Sequence, residues 1–447
     1  MTLTSLVIPI LLENLVRASL VAVDQLMLYA YSEKAAAALS SVNQFAFFIQ
    51  LMYQMVAIGV GILISQNLGA QRPKEAGKTA LAGFIMVGGI SILTSVGVVL
   101  GFPHILRVYG LEDIVYRHAT SYIVIYGGAS VFMALNLVQA SVLRSWGFAR
   151  IPMYVNTVVL GLNIIGNAIA LFGPLGLPVF GVPGVAVSTV FSQLVALFLL
   201  QWQIRKRSNT IKINWQGVKK IPKRVFKDIF AIGVPTAGEN LSYNLSQSVL
   251  ISFVAQLGTE ALAAQGLFIT IARYVFIFGI SIGSATQIKV GHMVGAGQAE
   301  EAHRRVYGYF LVGVAISTLG AIGLVLFRYP LIGLFTQDPE ITRITASVLL
   351  LSLLQEPARN FNTIIIPALK GAGDVRFPVG VGLVTMWCVS VFLAWLLGIH
   401  FALGLVGVWL GPTIDEWFRG TIMILRWKGG KWKTKRLVRA SGEGDMD

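Results

Sequence analysis

The chain is written twice. Ile8-Pro9 with Glu13-Asn14 returns 226 residues later as Val234-Pro235 with Glu239-Asn240. Leu68-Gly69-Ala70 returns at the same displacement, 226, as Val294-Gly295-Ala296. Val142-Leu143-Arg144 through Arg150-Ile151-Pro152 returns at it as Ala368-Leu369-Lys370 through Arg376-Phe377-Pro378. Gly181-Val182-Pro183-Gly184-Val185 is echoed by Gly404-Leu405-Val406-Gly407-Val408, displaced by 223. Three agreements at one displacement are hard to obtain by chance. They commit the chain to two halves of like architecture.

Each half is a run of apolar stretches. A spanning helix needs about 20 mostly apolar residues. Twelve stretches qualify, at 3–31, 37–65, 79–102, 119–143, 153–173, 182–204, 228–257, 262–289, 306–328, 344–369, 379–399 and 404–425. Composition agrees, with 55% hydrophobic and only 12% charged residues. So little charge covers few soluble surfaces, and so much apolar area excludes disorder. The single cysteine, Cys388, excludes an internal disulfide and a thiolate metal cluster. The first stretch is not a signal peptide, because it lacks a basic leader and carries Glu13, Arg17 and Asp24. Met1 stands almost at the membrane, which suggests a start upstream. The expected fold is an all-α polytopic membrane protein. Its twelve transmembrane helices form two pseudo-symmetric six-helix bundles, 1–204 and 228–425. A basic loop, 205–227, joins them, and a basic tail, 426–447, follows. Six spans per half give both halves one orientation, as in parallel-repeat transporters, whose site lies between the bundles near the midplane.

The net charge of +15 would suggest nucleic acid in a soluble chain. Here it reports topology. With both termini inside, the cytoplasmic segments hold 26 of the 35 lysines and arginines and the outer loops hold 5. The central loop (Arg205, Lys206, Arg207, Lys212, Lys219, Lys220, Lys223, Arg224, Lys227) and the tail (Arg426, Lys428, Lys431, Lys433, Lys435, Arg436, Arg439) carry most of them. Their expected partner is anionic lipid at the inner face of the cell membrane, not nucleic acid.

At this point the chain resembles a known family. The repeated proline, the Leu-Gly-Ala after span two, and the turns Leu143–Pro152 and Leu369–Pro378 are similar to those of the multidrug and toxic compound extrusion (MATE) transporters. Glu13-Asn14 before Asp24, Ala237–Asn240, Met386–Cys388 and Asp415–Arg419 most resemble the DinF-like branch. The resemblance implies twelve helices in two bundles. It also implies export of drugs or metabolites driven by inward flow of protons or sodium.

An ionisable group inside the bilayer is costly and needs a reason. Asp24 lies deep in span one, with no base three or four residues away. The resemblance makes an aspartate at this position the main cation-coupling residue. Burial favours protonation, which suits a group that loads and releases a proton. Its expected partners are Asn163 and Asn167, four apart on one helical face, and Thr189 on the next span. The family's sodium-type pattern has an acid where Asn167 stands, and hard cations want charged oxygens, so proton coupling is favoured over sodium. Glu13 has Arg17 one turn later and reads as an intrahelical pair. Its repeat mate Glu239 has Tyr243 at that place and reads as a site residue. Glu356 and Arg359 should pair, while Asp415, oriented by Arg419, should face the cavity ahead of Glu416.

The expected cavity would hold bulky apolar cations by burial and cation–π contact, lined by Glu239, Asp415, Tyr243, Gln54, Glu13 and Glu356 among others. Tyr29, Phe45, Phe48, Met52, Tyr53, Phe268, Tyr274, Gln44, Gln50 and Gln265 are further candidates. The five histidines show no metal spacing, and no P-loop, dinucleotide fingerprint or nucleophile elbow is present. The expectation is a monomeric, cofactor-free antiporter of small molecules, not an enzyme. The alternatives are a sodium-coupled exporter, or a flippase or exporter of a lipid-linked or flavin-like anion.

Overall fold

The computed structural model describes residues 2–108 and 110–438. Arg439, counted above in the tail, lies outside them, and so does the side chain of Lys219. The backbone is helical almost throughout, because a chain in lipid must satisfy every N–H and C=O internally. In the first half the helices are α1 (Thr4–Tyr31), α2 (Glu33–Gly69), α3 (Pro73–Val108), α4 (Asp113–Gly128), α5 (Ser130–Ser145), α6 (Arg150–Phe172) and α7 (Gly181–Lys206). In the second they are α8 (Lys223–Ala255), α9 (Thr259–Gly295), α10 (Ala299–Leu326), α11 (Arg328–Gly333), α12 (Pro339–Leu350), α13 (Ser352–Asn360), α14 (Ile366–Ala372), α15 (Arg376–Thr385), α16 (Phe392–Trp395) and α17 (Gly404–Lys428).

Eight of these segments are long and apolar enough to cross a membrane, and the α4–α5 pair makes a ninth. The other three expected spans are α8, the α12–α14 run and α17. They are helical, but the α12–α14 run is broken into helices of 12, 9 and 7 residues, and α8 and α17 carry Glu239, Asp415, Glu416 and Arg419 among their apolar residues. Span four is bent by 48° at Ala129. Span ten breaks at Leu351 and contains a π-turn over Phe361–Ile365. Span eleven is α15 and α16 continued through the π-turns Met386–Val391 and Leu396–His400. Apolar periodicity does not report such interruptions, since the side chains on either side stay apolar. Helices α2 and α9 each run 37 residues, well past the apolar part that marked them.

The chain divides into two compact units. One holds residues 1–68 and 72–237, the other 69–71 and 238–447. In the first unit the basic loop is partly packed. Trp215 stacks on Phe84 of α3 at 5.6 Å, and the Lys212 carbonyl lies so close to Gly77 that a Cβ there would sit 1.9 Å from it. In the second unit Phe268 meets Trp409 edge-on at 4.7 Å, within a core that includes Leu250, Ile271 and Leu349. The start of the tail is docked, not free. Trp432 is fully buried and stacks on Trp427 at 4.0 Å, Lys433 pairs with Glu300 at 2.7 Å, and Arg426 pairs with Asp374 at 2.8 Å. Two of the cations assigned to lipid by sequence, Arg426 and Lys433, therefore pair inside the protein.

Candidate functional site

In the first unit, α1, α6 and α7 bring one polar chain together. Asn167 Nδ2 donates to Asp24 Oδ1 at 2.6 Å and to Asn163 Oδ1 at 3.2 Å. Asn163 Nδ2 donates to Thr189 Oγ1 at 3.1 Å, and Thr189 donates to the Val185 carbonyl at 3.0 Å. All four side chains are buried. The four-residue spacing of Asn163 and Asn167 puts both amides on the face that α6 turns toward α1 and α7. Gly166 lies between them, and a Cβ there would meet Ser188 Oγ of α7 at 2.2 Å, so the absent side chain lets the helices close up. Among the described residues no cation pairs with Asp24. A cavity of about 200 Å³ opens beside the carboxylate, lined by Asp24, Tyr122, Tyr126, Met133, Gln50 and Thr189 among others. Tyr122 and Tyr126 are stacked at 5.5 Å and were absent from the sequence reading, since nothing in their spacing distinguishes a cavity tyrosine from a packed one.

Glu13 lies at the other end of α1. It keeps its expected Arg17 pair at 3.2 Å, but the stronger contact is elsewhere. Arg144 Nη1 reaches both carboxylate oxygens, at 2.8 and 3.0 Å, and Asn156 Nδ2 adds a 3.3 Å bond. Glu239 is corrected in the same way. Sequence gave it no partner one turn on, yet Lys370 Nζ meets its Oε2 at 2.5 Å. Both pairs span 131 residues, so the repeat preserves the ion pair itself. The displacement of 226 that carries Glu13 to Glu239 also carries Arg144 to Lys370. A search within one helix misses this; a search across the repeat finds it.

The second unit gathers a further cluster of charges on α13 and α17. Glu356 and Arg359 pair at 2.6 Å as expected. Arg419 Nη2 lies 3.1 Å from Asp415 and 3.5 Å from Glu416. Asn362 Nδ2 donates to the Glu416 carbonyl at 3.0 Å and to its carboxylate. Asp415 and Glu416 both border one small polar pocket with Gln355, Tyr243, Arg359 and Trp409, so Asp415 does not face it alone. Gln54 is exposed and borders neither cavity, whereas Gln50, one turn earlier, lines the first. Tyr29, Met52 and Tyr274 are exposed, Tyr53 is buried against Ser130 at 2.7 Å, and Phe268 is core.

The comparisons with known proteins follow the same outline. The MatE family model matches residues 9–169 and again 235–396, one copy in each half. The chain belongs to the MatE family. The Bacillus subtilis protein named uncharacterized transporter YisQ is 35% identical over 98% of this chain and 96% of its own length. The Thermotoga maritima protein named probable multidrug resistance protein NorM is 26% identical over 98% and 94%. A crystal structure titled MATE in the straight conformation superposes with a TM-score of 0.89 at 21% identity, covering 96% of each chain. This MatE chain is thus a polytopic membrane transporter and not an enzyme, and it has the twelve-span fold of that family.

Proposed function

We propose that the protein is a proton-driven exporter in which Asp24 carries the coupling proton. The observation that supports this most is the pairing of a buried carboxylate with an amide donor and no cation. An acid with a cation of its own is held charged, whereas one held by a neutral N–H can be charged or neutral in place. Asn167 turns its N–H toward Asp24, while a sodium ion would need oxygens directed at one point. Asn163 and Thr189 fix the orientation of that amide.

The cargo in this reading is an organic cation or other bulky apolar molecule. The cavity at Asp24 offers aromatic faces, a methionine and one acid, a set that gives affinity without fixed geometry. Relatives named for multidrug resistance support the same class. The site works by competition, with the proton and the cation excluding one another at the carboxylate. The basic loop and tail set the chain in the cell membrane with both termini inside, facing anionic lipid. Proteoliposomes loaded with a fluorescent organic cation and given either a pH gradient or a sodium gradient test the reading. The pH gradient alone should drive exchange. Exchange that needs sodium and ignores pH overturns it.

A further inference from the structure

The repeat supplies its own control for the charges of the second unit. Asn136 Nδ2 donates to the backbone carbonyl of Gln193 at 2.8 Å and to its side-chain oxygen at 2.9 Å. Asn362 makes the same two bonds to Glu416. The two contacts are repeat mates, so the halves can be aligned by structure at this point. At the matching positions the first half has Ser130, Met133, Ser192, Gln193 and Ala196, and the second has Glu356, Arg359, Asp415, Glu416 and Arg419. The fold therefore needs no charge at any of these five places. Burying charge is costly even when paired, so the second half retains these for another reason.

The five charges do not cancel. Glu356 takes Arg359, and Arg419 is shared by Asp415 and Glu416, which leaves one carboxylate in excess. Glu239 approaches Arg419 from α8 but is already occupied by Lys370 of α14. Gly382 lies beside that approach, where a Cβ would stand in ordinary contact with both groups, 3.4 Å from Glu239 Oε1 and 3.8 Å from Arg419 Nη1. Tyr243 is the other titratable group facing Arg419, and Thr385 is a hydroxyl neighbour of Asp415. Several groups bordering the pocket are buried without a hydrogen-bond partner: Asp415 Oδ1, Gln355 Oε1, Arg419 Nε and Trp409 Nε1. Two guanidinium groups border it too, which disfavours a metal cation. The pocket is too small for organic cargo.

We propose that Asp415 is a second proton-binding carboxylate, housed wholly within the second unit. A proton from solvent adds to the free Oδ1, converts carboxylate to carboxyl and removes the excess charge; its return to solvent restores it. Arg419 and Glu416 position Asp415, and Gln355 Oε1, also unpartnered, borders the same pocket. The inference rests on proton coupling as the function and adds a second site to it.

Infrared difference spectra of the purified full-length protein after a pH jump test both sites separately. Asp24→Asn should remove one carboxyl band and Asp415→Asn another, with the double variant losing both. Glu416→Gln removes the excess carboxylate and should move the Asp415 band to lower pH, in a fold that already accepts glutamine making this contact at position 193. Thr385→Val, which keeps every charge, should displace the Asp415 band and serves if Asp415→Asn does not fold. A spectrum unchanged by both the Asp415 and Thr385 variants overturns the proposal, as does an Asp415 band unmoved in Glu416→Gln or erased by adding sodium chloride. Loss of the Asp24 band's dependence on Asp24 would instead defeat the primary coupling site and leave this one standing.

Discussion

Breaking the repeated ion pair should cost the two halves unequally. In Lys370→Met, Glu239 is left as a buried carboxylate whose 2.5 Å partner is gone, while Arg419, the cation it also approaches, already serves two acids. Removing one member of a buried pair costs about 3–5 kcal/mol. In Arg144→Met, Glu13 keeps Arg17 at 3.2 Å and Asn156 at 3.3 Å, so about 1–3 kcal/mol is expected. The gap of about 2 kcal/mol is roughly thirtyfold in the unfolding equilibrium. Denaturant titration of each variant in detergent micelles, followed by tryptophan emission, measures it. Glu239→Gln combined with Lys370→Met should recover much of the loss, because no charge is then left buried and unpaired. Equal losses in the two single variants, or a double variant that loses the sum, would refute the reasoning.

Other expectations follow from single contacts. Asn167→Asp restores a second acid beside Asp24 and should make dye export respond to sodium, which a sodium titration of transport checks. Gly283→Ala places a Cβ 1.8 Å from the Thr363 carbonyl in the π-turn and should cost about 1–3 kcal/mol, read as a lower melting temperature. His303, beside the stacked Trp427 and Trp432 rings at 6.1 and 6.2 Å, is held below the usual histidine range by burial and then by Lys433. Its protonation is thus harder folded than unfolded, so tail docking should weaken as pH falls through the unfolded value near ~6.5. Amide exchange over 427–434 should rise below that pH in the native chain and not in His303→Phe. The Glu300–Lys433 pair, whose bond holds the Glu300 carboxyl below its usual value, should be lost only at lower pH still.

The twelve spans were legible because lipid leaves the backbone few options and the apolar runs mark it. The repeat was legible because Pro9 and Pro235, Gly69 and Gly295, and Pro152 and Pro378 are residues that neighbours cannot replace without changing the backbone. Asp24, Asn163, Asn167 and Thr189 could be chosen together because helical spacing fixes faces. What stayed hidden depends on contacts between distant segments. Lys370 is 131 residues from Glu239, and no local pattern joins them. The π-turns of spans ten and eleven and the bend at Ala129 lie among apolar residues that read as unbroken helix. The docked tail escaped notice because its lysines outnumber its two tryptophans, although Trp427 and Trp432 are what bury it.

The central claim is that one proton on Asp24 is exchanged for cargo. Purified Asp24→Asn protein in dye-loaded vesicles under an imposed pH gradient tests it most directly. The account predicts that gradient-driven dye movement and the matching proton counterflow both vanish while the protein stays folded, with a melting profile close to that of the native chain. Dye movement that persists at the native rate, with proton counterflow intact, contradicts it.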